Sequence, residues 1–155
     1  MENQRLHELF EYIDGKLFWK VARGRINVGD EAGAVARNGR RYVQFDGKKM
    51  LVHRIIWEMH NANCPEFLDH IDRDHANNRI ENLRPATKQE NARNRSIRAD
   101  NKTGFKGIYK HGKKFAASIC VDGVNKFLGC FSTPEQAHAA YAASAKLNFK
   151  EFAHV

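Results

Sequence analysis

Cysteine is scarce and poorly placed for chemistry. Only Cys64, Cys120 and Cys130 occur among 155 residues, all far apart. With no Cys-x-x-Cys pair, neither a zinc knuckle nor a disulfide framework is indicated, and the three read as small buried hydrophobes. Long apolar runs are missing too: nothing approaches the ~20 residues needed to span a bilayer. The opening Met1-Glu2-Asn3-Gln4-Arg5 is polar and lacks the apolar stretch of a secretion signal. We therefore expect a cytoplasmic protein with no membrane partner. Low-complexity segments and internal repeats are also absent.

Positive charge is what the chain has instead. Lysine and arginine outnumber aspartate and glutamate by 26 to 18, for a net charge of +8 and a pI of about 9.6. The excess is uneven: Arg84 to Lys114 carries ten basic residues against Glu90 and Asp100 alone. Such a balance favours a polyanion, either nucleic acid or an anionic surface. A hydrophobic content of 42% is enough for a core.

Turn signals crowd the first third. Asp14-Gly15, Asn38-Gly39 and Asp46-Gly47 each sit between apolar or alternating stretches, a strong hairpin signal. Short strands are expected near Leu17–Lys20, Ala32–Ala36, Arg41–Phe45 and Lys49–Val52. A helix from about His53 to Asn61 follows, with Ile56, Trp57 and His60 on one face. Pro65 breaks it. Phe67–Ile71 then reads as a strand, Asp72–Asn78 as a polar loop and Ile80–Pro85 as a second extended piece. Thr87-Lys88-Gln89-Glu90 fits a capping box for a helix from Lys88 to about Arg95. Residues 96–104 read as a linker. The remainder reads as three antiparallel strands, Gly107–Lys110, Phe115–Val121 and Val124–Phe131, with a tight turn at Asp122-Gly123. Ser132 should cap a final alanine-rich helix, with Pro134 in its first turn and Glu135 completing a capping box.

Asp69-His70 is the pair with chemical potential. An imidazole can take a proton from water, because its reference pKa lies near operating pH. A carboxylate can bind a hard cation through oxygen. Adjacent strand residues point to opposite faces, so a bend is required for both to serve one phosphate. Asn82 lies twelve residues after His70 and Asn91 twenty-one after it. Asn82 could orient the histidine or fix the loop, and the amide oxygen of Asn91 could complete a cation's shell. Each taken singly is more simply a turn residue, a helix surface position or a surface pair. Asp72-x-Asp74 is rejected as a calcium loop, since the required glycine and glutamate are missing. His111, His138 and His154 have no partners at metal spacing.

Residues 53–95 resemble the HNH nucleases of phage and bacterial homing endonucleases. The resemblance rests on His53-Arg54-Ile55-Ile56-Trp57-Glu58, Leu68-Asp69-His70-Ile71-Asp72, Asn77 to Arg84, Thr87, Glu90-Asn91 and Arg93-Asn94-Arg95. Asn91 at the third signature position is similar to the HNN variant; Arg73 stands where many relatives have glycine. The resemblance implies a ββα-metal core with His70 as general base, Asn82 as the orienting residue, and Asp69 and Asn91 as ligands of one Mg²⁺ or Mn²⁺ ion. It implies a DNA endonuclease hydrolysing phosphodiester bonds in double-stranded DNA, by nicking or double-strand cleavage. Such a protein acts in a bacterial host, phage-encoded or not, as monomer or homodimer.

Residues 103–154 resemble the Apetala-type (ethylene-response-factor) DNA-binding domain. The matching pieces include Gly104 to Ile108, Lys114 to Ile119, Leu128-Gly129-Cys130-Phe131, Glu135-Gln136-Ala137 and Phe149 to Ala153. This implies a sheet lying in the major groove. The expected DNA contacts are Lys106, Tyr109, Lys110, Lys113, Lys114, Ser118, Asn125 and Lys126, on strand faces turned away from the helix. Arg84, Lys88, Arg93 and Arg95 join them from the basic run. Lysine in place of the family's arginines lacks the bidentate fork for guanine.

The expected fold is thus α+β. Residues 1–95 form the nuclease domain, with 1–52 a strand-rich scaffold and 53–95 the catalytic region; 96–104 link it to a 105–155 module of three strands on one helix. Two rivals stand beside this reading. One is an inactive DNA-binding regulator on the same modules. The other is an RNA-binding structural protein, disfavoured because the sheet should lack paired exposed aromatics.

Overall fold

The computed structural model describes residues 2–61, 63–94, 97 and 100–153. The chain divides into two compact units, Met1–Lys88 and Gln89–Val155. The division falls inside the stretch that the sequence reads as a single ββα unit.

In the first unit, helix α1 (Glu2–Leu9) leads into a hairpin of β1 (Phe10–Ile13) and β2 (Lys16–Trp19). Its turn has positive φ at Asp14 (52°) and Gly15 (84°), the primed geometry that matches strand twist. An antiparallel sheet follows, ordered β3 (Ala34–Val35), β4 (Arg41–Phe45) and β5 (Lys48–Leu51). Asp46-Gly47 turns in the same primed way. Asn38-Gly39 does not: only Gly39 takes positive φ, and Ala36 pairs with Arg40 around a three-residue loop. Helix α2 (Val52–His60) packs on β4 and β5. Then β6 (Phe67–His70) pairs antiparallel with β7 (Leu83–Ala86).

One core joins these pieces, including Leu6, Phe10, Leu17, Trp19, Val43, Ile55, Ile56 and Leu83. Phe10 sits at its centre, its ring 4.6 Å from Trp19 and 5.3 Å from Phe45. Burying such a side chain contributes about 1.5–3 kcal/mol.

Two stretches of this unit depart from expectation. The opening residues form α1 and β1, where the sequence suggested only strands from Leu17. Leu6 and Leu9 are the buried apolar pair of α1, too sparse a stripe to announce a helix. The helix is held from outside, by His7 Nε2 on Met59 O at 3.0 Å and Asn3 Nδ2 on Glu58 O. Residues Ile80–Asn82 form a 3₁₀ turn, not an extended piece, because Asn82 N donates to Arg79 O.

The second unit carries helix α3 (Lys88–Arg93), which begins at the division. Three antiparallel strands follow, β8 (Ile108–His111), β9 (Lys114–Val121) and β10 (Val124–Phe131), ordered β10-β9-β8. Helix α4 (Pro134–Phe149) covers one face, with Ile108, Ala117 and Ala137 at the contact. A Cβ on Gly107 would come within 2.4 Å of both Ser118 O and the Tyr141 ring, so only glycine permits this close approach. The cap of α4 is Thr133, not Ser132: Thr133 Oγ1 accepts from Gln136 N at 3.3 Å. The side chain reaching back is Gln136, whose Oε1 accepts from Ser132 N at 3.2 Å. The cysteines are also not buried as expected; Cys120 and Cys130 are exposed and Cys64 is intermediate.

Candidate active site

Helix α2 sets the approach of β6. Arg54 donates to the carbonyls of Glu66 (3.1 Å) and Pro65 (3.0 Å), and Trp57 Nε1 to Asn63 O at 2.9 Å. The strand that follows ends in Asp69 and His70, 5% and 2% exposed. The cross-strand register places Arg84 opposite Asp69 and Leu83 opposite His70.

His70 is ringed by nitrogen bases. The His53 ring lies 5.0 Å away on one side and the His75 ring 5.4 Å away on another, both edge-on. His70 Nε2 bonds Asn78 Oδ1 at 2.9 Å. Burial pushes the His70 pKa down; the Asn78 bond and the nearby Asp72 and Asp69 charges oppose this, and Arg40 reinforces it. The same burial, helped by His70 and Arg40, holds His53 down to about 3. All three rings are therefore neutral at neutral pH, the state a proton acceptor needs.

The loop between β6 and β7 is self-bonded. Asp72 Oδ1 accepts from Asp74 N, and Asp74 Oδ1 from Ala76 N. Asn82 closes it: Oδ1 accepts from Asp72 N at 3.1 Å, and Nδ2 donates to Asp72 Oδ1 at 2.9 Å and Asn77 O at 2.8 Å. Burial works to raise the Asp72 pKa, but the Asn77, Asn82 and Asp74 hydrogen bonds outweigh it and the net shift is downward. Asn82 thus clamps the loop, and the side chain on the imidazole is that of Asn78.

Residues 50–93 match the HNH endonuclease family. The chain is also 36% identical, over 114 residues, to an uncharacterised HNH endonuclease of Acanthamoeba polyphaga mimivirus; the alignment covers 72% of this chain and 59% of that relative. No solved structure matches. The HNH stretch therefore takes in α2, the β6–β7 hairpin and α3, the elements that carry every signature residue.

Within the HNH stretch, Asp69 and His70 share the first unit with Asn82, while Asn91 stands half-buried on α3 in the second. Asp69 Oδ2 accepts from Arg84 Nε (3.0 Å) and Nη2 (2.9 Å), a pair with side chains 6% and 13% exposed. Arg84, read from the sequence as a DNA contact, has its guanidinium here. Among the described residues no group of three or more His, Cys, Asp or Glu side chains is arranged to hold a metal ion. The donor chemistry still fits a hard ion, since Mg²⁺ is commonly held by one or two carboxylates with water and phosphate oxygens completing its shell.

The other expected DNA contacts fall into distinct settings. Lys88 is exposed at the start of α3. Arg93 lies over the Phe149 ring at 4.2 Å and reaches Asp122 at 3.5 Å; Lys106 Nζ donates to Arg93 O. Arg95 lies outside the described residues, as do 96, 98 and 99 of the expected linker. Tyr109, Lys114, Ser118 and Asn125 share the sheet face away from α4. Lys110 and Lys126 do not: they register against Phe115 and Ile119, on the helix side. Lys113 sits in the β8–β9 turn. The outer face also carries two exposed aromatics, Tyr109 (47%) and Phe127 (64%), contrary to expectation.

Sequence reasoning missed Asn78 and Arg40 as parts of this neighbourhood, while His53 and His75 were read as lying near it. Asn78 had a faint signal, as one of two consecutive asparagines in a polar loop. No membrane-spanning helix occurs among the described residues.

Proposed function

We propose that this chain is a divalent-metal-dependent DNA endonuclease with His70 as general base and Asp69 and Asn91 as metal ligands, of the HNN homing type. The observation that carries the reading is a buried His70 whose Nε2 meets Asn78 Oδ1 and which follows a carboxylate in sequence, inside the stretch that matches the HNH endonuclease family.

His70 accepts a proton from water on the nitrogen that Asn78 does not engage. The water oxygen bonds to phosphorus in line with the P–O3′ bond, which breaks. The leaving oxygen takes a proton from solvent, giving 3′-hydroxyl and 5′-phosphate ends. A Mg²⁺ or Mn²⁺ ion, when bound, would offset the charge developing on the phosphate and leaving oxygens. One base and one ion suffice for one strand, so a monomer nicks and a homodimer can cut both. The outer face of β8–β10, with Tyr109, Lys114, Ser118 and Asn125, is the proposed duplex-binding surface of an Apetala-type module.

The test is relaxation of supercoiled plasmid by the native protein and by His70→Ala, with Mg²⁺ or with EDTA. Nicking that needs the metal and is lost in the variant is expected. Binding without cleavage under every condition would replace this reading with the inactive regulator.

A further inference from the structure

We propose that Asn78 is the positioning residue for His70, fixing its tautomer and ring plane, and that the β1–β2 turn is the support that holds Asn78 in place. The inference rests on the reading of His70 as general base but makes a separate claim about how that base is aimed.

The contact itself is buried and of ordinary hydrogen-bond length. His70 Nε2 and Asn78 Oδ1 are 2.9 Å apart, between side chains of residues 2% and 5% exposed. An amide oxygen only accepts, so Nε2 must carry the hydrogen and the basic lone pair lies on Nδ1. The His53 and His75 rings meet His70 edge-on, at 5.0 and 5.4 Å between centroids.

Asn78 is held from both sides. Within the loop, Asn78 N donates to Ala76 O at 3.1 Å, and the carbonyl of Asn77 accepts from Asn82 Nδ2. From outside the loop, the β1–β2 hairpin presses on the following peptide. A Cβ on Gly15 would lie 2.9 Å from Arg79 N and 3.2 Å from Asn78 C. Asp14 pairs with Arg79 at 2.6 Å, and Tyr12 OH accepts from Ile80 N at 3.1 Å. Three consecutive contacts from one hairpin therefore fix the backbone that carries the Asn78 side chain. Asn82 has a different task, since its side chain bonds Asp72 and Asn77 within the loop.

The experiment compares the full native chain with Asn78→Leu, Asn78→Asp and Gly15→Ala. Leucine keeps the bulk and removes the acceptor; aspartate restores an acceptor for the same hydrogen. Ring ¹⁵N shifts of His70, recorded without metal at neutral pH, report the tautomer. Plasmid nicking with Mg²⁺ reports kcat and KM. The native protein should show the Nε2–H form. Asn78→Leu should mix the tautomers and lower kcat by roughly 10–100-fold with little change in KM, the usual scale for losing an outer-shell partner of a functional histidine. Asn78→Asp should restore the Nε2–H form and recover most of kcat, and Gly15→Ala should shift the His70 signals with Asn78 itself intact. A native Nδ1–H form, or unchanged ring shifts in Asn78→Leu, would overturn the proposal. If Asn78→Leu fails to fold, the native and aspartate spectra still decide. If the native protein never nicks DNA, the nuclease reading fails, while the tautomer measurements judge the Asn78 contact on their own.

Discussion

His53 should make the first unit acid-labile in a defined window. Its ring is 5% exposed and held down to about 3, against an ordinary 6.5 in the unfolded chain. Because the folded pKa is the depressed one, the unfolded state binds the extra proton between these values. The contribution is complete above pH 6.5 and is lost as pH falls toward 3. Each pH unit inside the window costs about 1.4 kcal/mol, so acidification from 7 to 5 should remove about 2 kcal/mol through this residue. His70 and His75 shift in the same direction and add to the slope, so a variant must isolate the His53 share. His53→Phe keeps a planar ring and removes the titration. Urea unfolding in EDTA, followed by the fluorescence of Trp19 and Trp57, reads this unit selectively, since both tryptophans lie in it. The native protein should lose about 2 kcal/mol more than the variant between pH 7 and 5. Equal losses in the two proteins would refute the assignment of the acid sensitivity to His53.

Three other outcomes follow from the same geometry. Arg84→Met leaves the buried Asp69 carboxylate without its guanidinium and should cost about 3 kcal/mol in urea unfolding, much of it recovered by adding Asp69→Leu. Arg40 acts electrostatically on His53, His70 and His75 and forms no ion pair among the described residues. If it contacts a phosphate beside these rings, Arg40→Ala should weaken DNA binding and reduce the log–log salt slope by about 0.9; an unchanged slope would remove it from the interface. Lys114 and Lys126 lie on opposite faces of the β8–β10 sheet, so in a salt-titrated binding assay Lys114→Ala should weaken DNA binding and Lys126→Ala should not.

Features set by local backbone preference were legible in the sequence. Asp14-Gly15, Asp46-Gly47 and Asp122-Gly123 all adopt positive φ at both residues, because aspartate and glycine tolerate that region at little cost. Alternation likewise announced β9, with Phe115, Ala117, Ile119 and Val121 on the helix side. The failures share a cause: they depend on what a segment meets. Helix α1 has too few apolar residues to declare itself and is stabilised by α2. Phe127 and Phe131 have the same parity yet opposite faces, because the register shifts between Phe127 and Gly129; no period-two reading anticipates that. The Asp69–Arg84 pair needed the β6–β7 register, without which Arg84 reads only as one more cation in a basic run.

The site itself divides along the same line. Asp69-His70 is visible because the residue types are chemically unusual together. Which asparagine reaches the imidazole is not visible, since Asn77 and Asn78 are adjacent and their directions depend on a chain of side-chain-to-backbone bonds. Asp72 takes Asp74 N, Asp74 takes Ala76 N, and Asn77 turns outward to Asp72 Oδ2 at 2.6 Å, while Asn78 meets His70 Nε2. The support for that arrangement lies outside the matched residues 50–93, in Tyr12, Asp14 and Gly15. The hairpin bearing them is anchored by Phe10 and Leu17, in the same core cluster as Leu83 of β7. A substitution in the opening hairpin can therefore disturb the proposed base without touching any motif residue. The motif specifies which groups are present; the hairpin and the shared core determine where the imidazole points.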